Sequence, residues 1–180
     1  TSGQVTGSGS TQITINPSSD LAEQTEYYVK IAATAFDDSS GNSYAGISNT
    51  TSLSFTTADE TNPSLSSASP ADNATAVATS SNIVLNFSEA VDVESGNIVI
   101  HKTSDDSVVE TIDVTSGQVT GSGSTQITIN PSSDLAEQTE YYVKIAATAF
   151  DDSSDNSFAG INNTTSCLLY TSDAADDDHC

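Results

Sequence analysis

The sequence predicts an all-β fold in which an antiparallel, two-sheet sandwich is encoded in tandem. Three observations predict it. Short apolar runs alternate with polar residues at every second position and are separated by turn residues. Helix signals are poor, because Thr, Ser, Asn and Val are weak helix formers and no apolar stripe of 3.6-residue period appears. Residues 1–52 return without a gap as residues 115–166.

The repeat sets the organisation. At an offset of 114, Gly41 becomes Asp155, Tyr44 becomes Phe158 and Ser48 becomes Asn162, so 49 of 52 positions are identical. A period of 114 is too long for a solenoid and matches one independent domain. Residues 1–57 therefore read as the C-terminal half of a truncated repeat, 58–62 as an acidic linker, and 63–171 as a near-complete repeat. Near-identity implies recent duplication, and neighbouring copies of the same repeat are the expected partners.

Along the near-complete copy, Leu65 sits in a first strand between Pro63 and Pro70. Ile83, Leu85 and Phe87 alternate with Val84 and Asn86. Ile98 and Ile100 alternate with Val99 and His101. A polar turn at residues 103–107 leads into Val108–Val114. The stretch Gly121-Ser-Gly-Ser124 forms a turn before Ile127 and Ile129. Leu135-Ala-Glu-Gln138 suits one short turn. Tyr141, Val143 and Ile145 are placed inward, because Lys144 between them belongs in water. Tyr142 is then an isolated outward residue.

By the offset, Cys167 replaces Leu53 and Leu169 replaces Phe55. The inward apolar alternation survives, while Leu168 and Tyr170 are expected to face solvent. Residues 59–114 are flanked by two nearly identical C-terminal halves. The five-residue linker reaches at most ~18 Å, whereas strands of a few residues make a sandwich ~20–30 Å tall. The downstream half is therefore expected to complete the sandwich, leaving residues 1–57 with open edges.

Composition narrows the function. Three lysines face 25 acidic residues, for a net charge of −22. Such a polyanion repels nucleic acid and anionic lipid. No apolar run approaches the ~20 residues that span a bilayer. Cys167 and Cys180 lie at the end of the chain, so the body has no disulfide. Residues 167–176, C-L-L-Y-T-S-D-A-A-D, resemble a translated transposase adapter used in sequencing libraries. On that resemblance residues 172–180 are a non-native tail.

The combination of Asn62-Pro-Ser-Leu65, Ser69-Pro-Ala-Asp-Asn73, Ile83-Val-Leu-Asn-Phe-Ser-Glu-Ala-Val-Asp92, Thr139-Glu-Tyr-Tyr-Val-Lys-Ile145 and Asn156-Ser-Phe-Ala-Gly160 resembles the S-layer-type bacterial Ig-like domain. The resemblance implies a seven-stranded Ig-like sandwich in secreted or cell-surface proteins, used as a spacer or in adhesion. It also implies a tyrosine corner at Tyr141, its hydroxyl tying a loop to the backbone.

Three acidic clusters offer the hard oxygen ligands that Ca²⁺ prefers. Asp59, Glu60 and Asn62 lie at the junction, with Glu89 and Asp92 as additions from the strand after Phe87, where Glu94 follows. Asp151, Asp152 and Asp155 share a loop. Its spacing opens like a calcium loop, but Asn162 stands where an EF-hand needs Glu, and an Asx-type turn is the simpler reading. No catalytic residues are assigned. The chain lacks G-x-S-x-G, H-E-x-x-H and a phosphate-binding loop, and His101 is a lone strand histidine. The expected function is a structural spacer repeat, with calcium stiffening its junctions. The alternatives are a glycan- or partner-binding module and an accessory domain of a secreted hydrolase. The absence of Trp weighs against a glycan platform.

Overall fold

The computed structural model describes residues 4–165 and 167–171. Residues 172–180, expected to be a non-native tail, lie outside them. The chain divides into two compact units, Thr1–Glu60 and Thr61–Cys180. The first contains β1 (Val5–Thr6), β2 (Thr14–Ile15), β3 (Glu26–Tyr28) and β4 (Ser54–Thr56). The second contains β5 (Leu65–Ser69), β6 (Ala74–Val77), β7 (Ile83–Val93), β8 (Asn97–Lys102), β9 (Val108–Asp113), β10 (Val119–Thr120), β11 (Ser124–Ile129), β12 (Glu140–Ile145), β13 (Phe150–Asp151) and β14 (Leu168–Thr171). No helix occurs among the described residues.

The second unit is an Ig-like sandwich. One sheet runs β10-β11-β7-β13, with β5 also on β7, and the other runs β6-β14-β12-β8-β9. The alternating pattern explains the register. Ile83 faces Ile129 and Leu85 faces Ile127 across β7 and β11, while Val143 faces Ile100 and Ile145 faces Ile98 across β12 and β8. Inward positions of both sheets thus meet in one core, in which Leu85, Ile98, Ile100, Ile127, Ile129, Val143 and Phe150 are fully enclosed. Each such side chain contributes about 1.5–3 kcal/mol by leaving water. Phe87 joins the layers, its ring edge-on to Phe150 at 5.4 Å and to Phe158 at 5.2 Å.

Besides β5 and β9, the partners of β7 and β8 are β11, β13 and β12, all from the downstream half, as expected. Tyr141 forms the expected tie: its hydroxyl accepts the Ala136 N–H at 2.9 Å. The end of the described chain, where Cys167 and Leu169 stand at the positions of Leu53 and Phe55, closes the sheet through the pairing of β14 with β12. Leu169 and Cys167 are buried and Tyr170 is exposed. Thr171 is enclosed, donating to the Ala136 carbonyl at 2.7 Å and accepting the Thr139 N–H at 3.1 Å. β14 also runs parallel to β6, with Leu169 opposite Ala74.

Tyr142 corrects the sequence reading, since it is buried rather than outward and isolated. Its Cα partner on β8 is His101, and the two rings stack at 4.7 Å with 2° between their planes. Lys144 Nζ lies 5.5 Å from the centre of the Tyr142 ring, and the Tyr142 hydroxyl donates to Asp106 Oδ1 at 3.4 Å. A large ring on the outer face of a sheet recruits cross-strand neighbours as cover. Burial and then the Asp106 carboxylate hold the phenol above its ordinary pKa. His101, expected to face water, is accordingly half-buried beneath the stack.

The first unit holds two separate two-stranded ribbons, β1-β2 and β3-β4. None of its described residues is buried. Its turns nevertheless match those of the second unit. Gly7 and Gly121 both take positive φ, where an added Cβ would lie 2.1 Å from the carbonyl oxygen of Gln12 or Gln126. That close approach admits only glycine.

Candidate functional site

The carboxylates gather where β7 runs past the aromatic end of the core. On β7, Ile83, Leu85, Phe87 and Val91 are buried, and Glu89 occupies the same alternation while remaining half-exposed. β13 pairs with this stretch, placing Phe150 opposite Val93 and Asp151 opposite Asp92. Two clusters far apart in sequence, Glu89/Asp92 and Asp151/Asp152, thereby become neighbours. Sequence reasoning kept them separate because a two-residue strand such as β13 leaves no periodic signal.

Phe150 points into the core, and Asp152, two residues on, is buried as well. Its carboxylate organises the following turn. Oδ1 accepts the N–H groups of Ser154 at 2.7 Å and Asn156 at 2.9 Å, and Oδ2 accepts the Asn156 side-chain amide at 2.8 Å. Burial pushes this carboxyl up, but the hydrogen bonds from Asn156 and Ser154 outweigh it and leave the group below the usual carboxylate range. This is an Asx turn, the simpler of the two readings for the loop. A carboxylate oxygen of Asp152 and one of Glu89 also lie within 4.8 Å of each other.

On the opposite face of β7, Asp92 and Asp151 are directly paired across the strands. Side chains so placed approach to about 5 Å, and like charges there repel. Asp92 Oδ1 accepts the Ser122 hydroxyl at 3.2 Å. Asp151 Oδ1 is enclosed and has no hydrogen-bond partner. A buried carboxylate oxygen without a donor is costly unless a cation or water satisfies it.

Asp155 stands apart. It is exposed, adopts φ 64°, and donates its N–H to the Asp152 carbonyl at 3.2 Å. It closes the turn. Asp59 and Glu60 belong to the first unit, where the Asp59 carboxylate accepts the Gln24 side-chain amide. Asn62 belongs to the second unit and is exposed, as Glu94 is.

The donor set of the second unit is all oxygen: Glu89 with Asp152 on one face of β7, and Asp92 with Asp151 on the other. Such hard, anionic donors suit a divalent cation of the calcium type and give no soft ligand for a thiophilic metal.

Comparison with known families returns one description twice along the chain. A family model described as a bacterial Ig-like domain matches residues 1–57 and residues 59–171. No curated protein matches the chain.

Proposed function

The chain belongs to the bacterial Ig-like domain family, and from that premise we propose that it is a spacer segment of a large secreted or cell-surface protein with an adhesive role. The observation that carries this reading is the return of residues 1–52 at an offset of 114. The same registers recur in both units at that spacing: Val5 pairs with Ile15 as Val119 pairs with Ile129, and Tyr27 pairs with Phe55 as Tyr141 pairs with Leu169. A module copied nearly unchanged, in a chain of net charge −22, serves by its length and rigidity rather than by one individual site.

Calcium is the proposed stiffening ion. The support is chemical: paired carboxylates on both faces of β7 and one enclosed oxygen at Asp151 that lacks a donor. Glu89 and Asp152 would hold an ion on one face of β7, and Asp92 and Asp151 one on the other, where it would neutralise repulsion across the β7–β13 pair. Asp59, Glu60 and Asn62 remain proposed ligands at a junction, and Asp155 an outlying one.

Thermal melting of the full chain tests both parts. A ligand bound only by the folded state raises the transition in proportion to RT ln(1 + [L]/Kd). Calcium at millimolar concentration raises the melting temperature, chelator reverses the rise, and soluble sugars leave it unchanged. A flat response to calcium removes the ion. A saturable rise with a sugar removes the spacer reading in favour of a binding module.

A further inference from the structure

We propose that Asn49 and Asn163 are acceptors for N-linked glycosylation, each taking a sugar from a nucleoside diphosphate sugar through its side-chain amide nitrogen. The pattern Asn-x-Ser/Thr, with x other than Pro, marks such an acceptor. Five asparagines open that pattern: Asn49, Asn73, Asn86, Asn162 and Asn163. In a chain rich in Ser and Thr the pattern alone selects nothing. The choice rests on where each amide stands.

Asn49 lies in an exposed loop between the Ile31–Ile47 bridge and β4. Its Oδ1 accepts the N–H groups of Thr51 at 3.0 Å and Ser52 at 2.7 Å, and the Thr51 hydroxyl at 3.3 Å. Its Nδ2 donates to the Ser52 hydroxyl oxygen at 2.8 Å. Asn163, at the repeat offset of 114, lies in the matching exposed loop between the Ile145–Ile161 bridge and β14. Its Oδ1 accepts the Thr165 N–H at 3.0 Å and the Thr165 hydroxyl at 3.4 Å. In both loops the threonine that completes the pattern also closes an Asx turn on the acceptor's oxygen.

That turn suits the chemistry. An amide nitrogen is a weak nucleophile, because its lone pair is shared with the carbonyl. Donors at Oδ1 draw charge onto the oxygen and make the Nδ2 protons more acidic. In the transfer, Nδ2 attacks the anomeric carbon and an N–C bond forms. The C–O bond to the diphosphate breaks, and the nucleoside diphosphate leaves with that electron pair. Nδ2 gives one proton to a base of the transferase. The chain supplies only the acceptor, and a turn already formed leaves little ordering to oppose its capture.

The remaining asparagines are placed differently. Asn86 is half-buried within β7, where its Oδ1 accepts the Gln126 side-chain amide at 2.9 Å and its Nδ2 donates to the Ser67 hydroxyl at 3.0 Å. Asn73 has φ 61° and turns its Nδ2 to the Asp72 carboxylate at 3.1 Å, while Thr75 already belongs to β6. Asn162 has Ser48 as its counterpart and stands outside the repeated arrangement.

The test incubates the full chain with UDP-glucose and a purified transferase that requires only Asn-x-Ser/Thr, and maps the product by peptide mass spectrometry. Hexose is expected on Asn49 and Asn163, with Asn73 and Asn86 unmodified. Thr51→Ala should abolish addition at Asn49 and leave Asn163 unchanged, and Thr165→Ala should do the reverse. Synthetic peptides of residues 69–77 and 82–90 should accept hexose, because there the fold no longer holds Asn73 and Asn86. The inference is overturned if neither Asn49 nor Asn163 is modified, or if Asn73 or Asn86 in the folded chain reacts as fast as they do. It is equally overturned if Asn162 takes the sugar in place of Asn163, or if the two peptides are refused, since sequence rather than placement would then decide.

Discussion

Residues 4–57 and 118–171 have almost the same sequence, the same turns and the same strand registers, yet the first stretch buries nothing and the second lines a core. The difference isolates what each level of structure requires. Turn geometry and short ribbons follow from residues close in sequence: glycine at Gly7 and Gly121, the Asx caps at Asp38 and Asp152, the tyrosine ties at Tyr27 and Tyr141. Burial follows only from β7 and its neighbours, which in the described residues stand against the second copy alone. Local structure is thus specified twice and the core once.

The sharpest way to break the comparison is to cut the same side chain in both copies. Ile129→Ala should destabilise the full chain by about 2–5 kcal/mol in urea unfolding, because it opens a cavity among enclosed neighbours. Ile15→Ala removes the same atoms from an exposed position and should shift the same transition by no more than about 0.5 kcal/mol. Equal effects would mean that the first unit contributes to the cooperative core.

A smaller effect is expected at the Asx caps. Asp152→Ala leaves three donors of a partly buried turn without their acceptor and should cost about 1–2 kcal/mol. Asp38→Ala should leave the main transition where it is. The first difference carries a pH signature. The folded Asp152 carboxyl is held below its ordinary value, so its contribution is present above the unfolded pKa near ~4 and fades as pH falls through the folded one. Unfolding curves of parent and variant should converge in acid. A gap that persists at low pH would assign the loss to packing.

The smallest effect concerns a residue that differs. Gly41 has φ 81° and Asp155, in the same position, has φ 64°. An added Cβ at Gly41 would meet nothing within 4 Å, so the cost of Asp155 is backbone conformation alone. Asp155→Gly should stabilise the second unit by about 0.5 kcal/mol, measured by thermal melting. A loss of stability would show that the Asp155 carboxylate has a favourable role in the loop.

Much of this fold was legible from alternation. Ile83, Leu85, Phe87, Ile127, Ile129, Tyr141, Val143 and Ile145 all occupy the core positions their spacing predicts, and the inward placement of Cys167 and Leu169 followed from the offset. Tyr142 was misjudged because alternation describes one strand, whereas the His101 stack depends on cross-strand register. The carboxylate pairing of Asp92 with Asp151 was hidden for the same reason. β13 has two residues, and its partner lies nearly sixty positions earlier. The Asx turn at Asp152 was readable because all its bonds are local.

The parallel alignment of β14 with β6 has a mechanical consequence. β6 stands near the start of the second unit and β14 ends its described chain, so tension applied along the polypeptide draws the two strands in opposite senses along their shared axis. Their hydrogen bonds are then loaded in shear and must yield together, whereas an antiparallel terminal pair would unzip one bond at a time. A module joined in this way resists stretching at its ends.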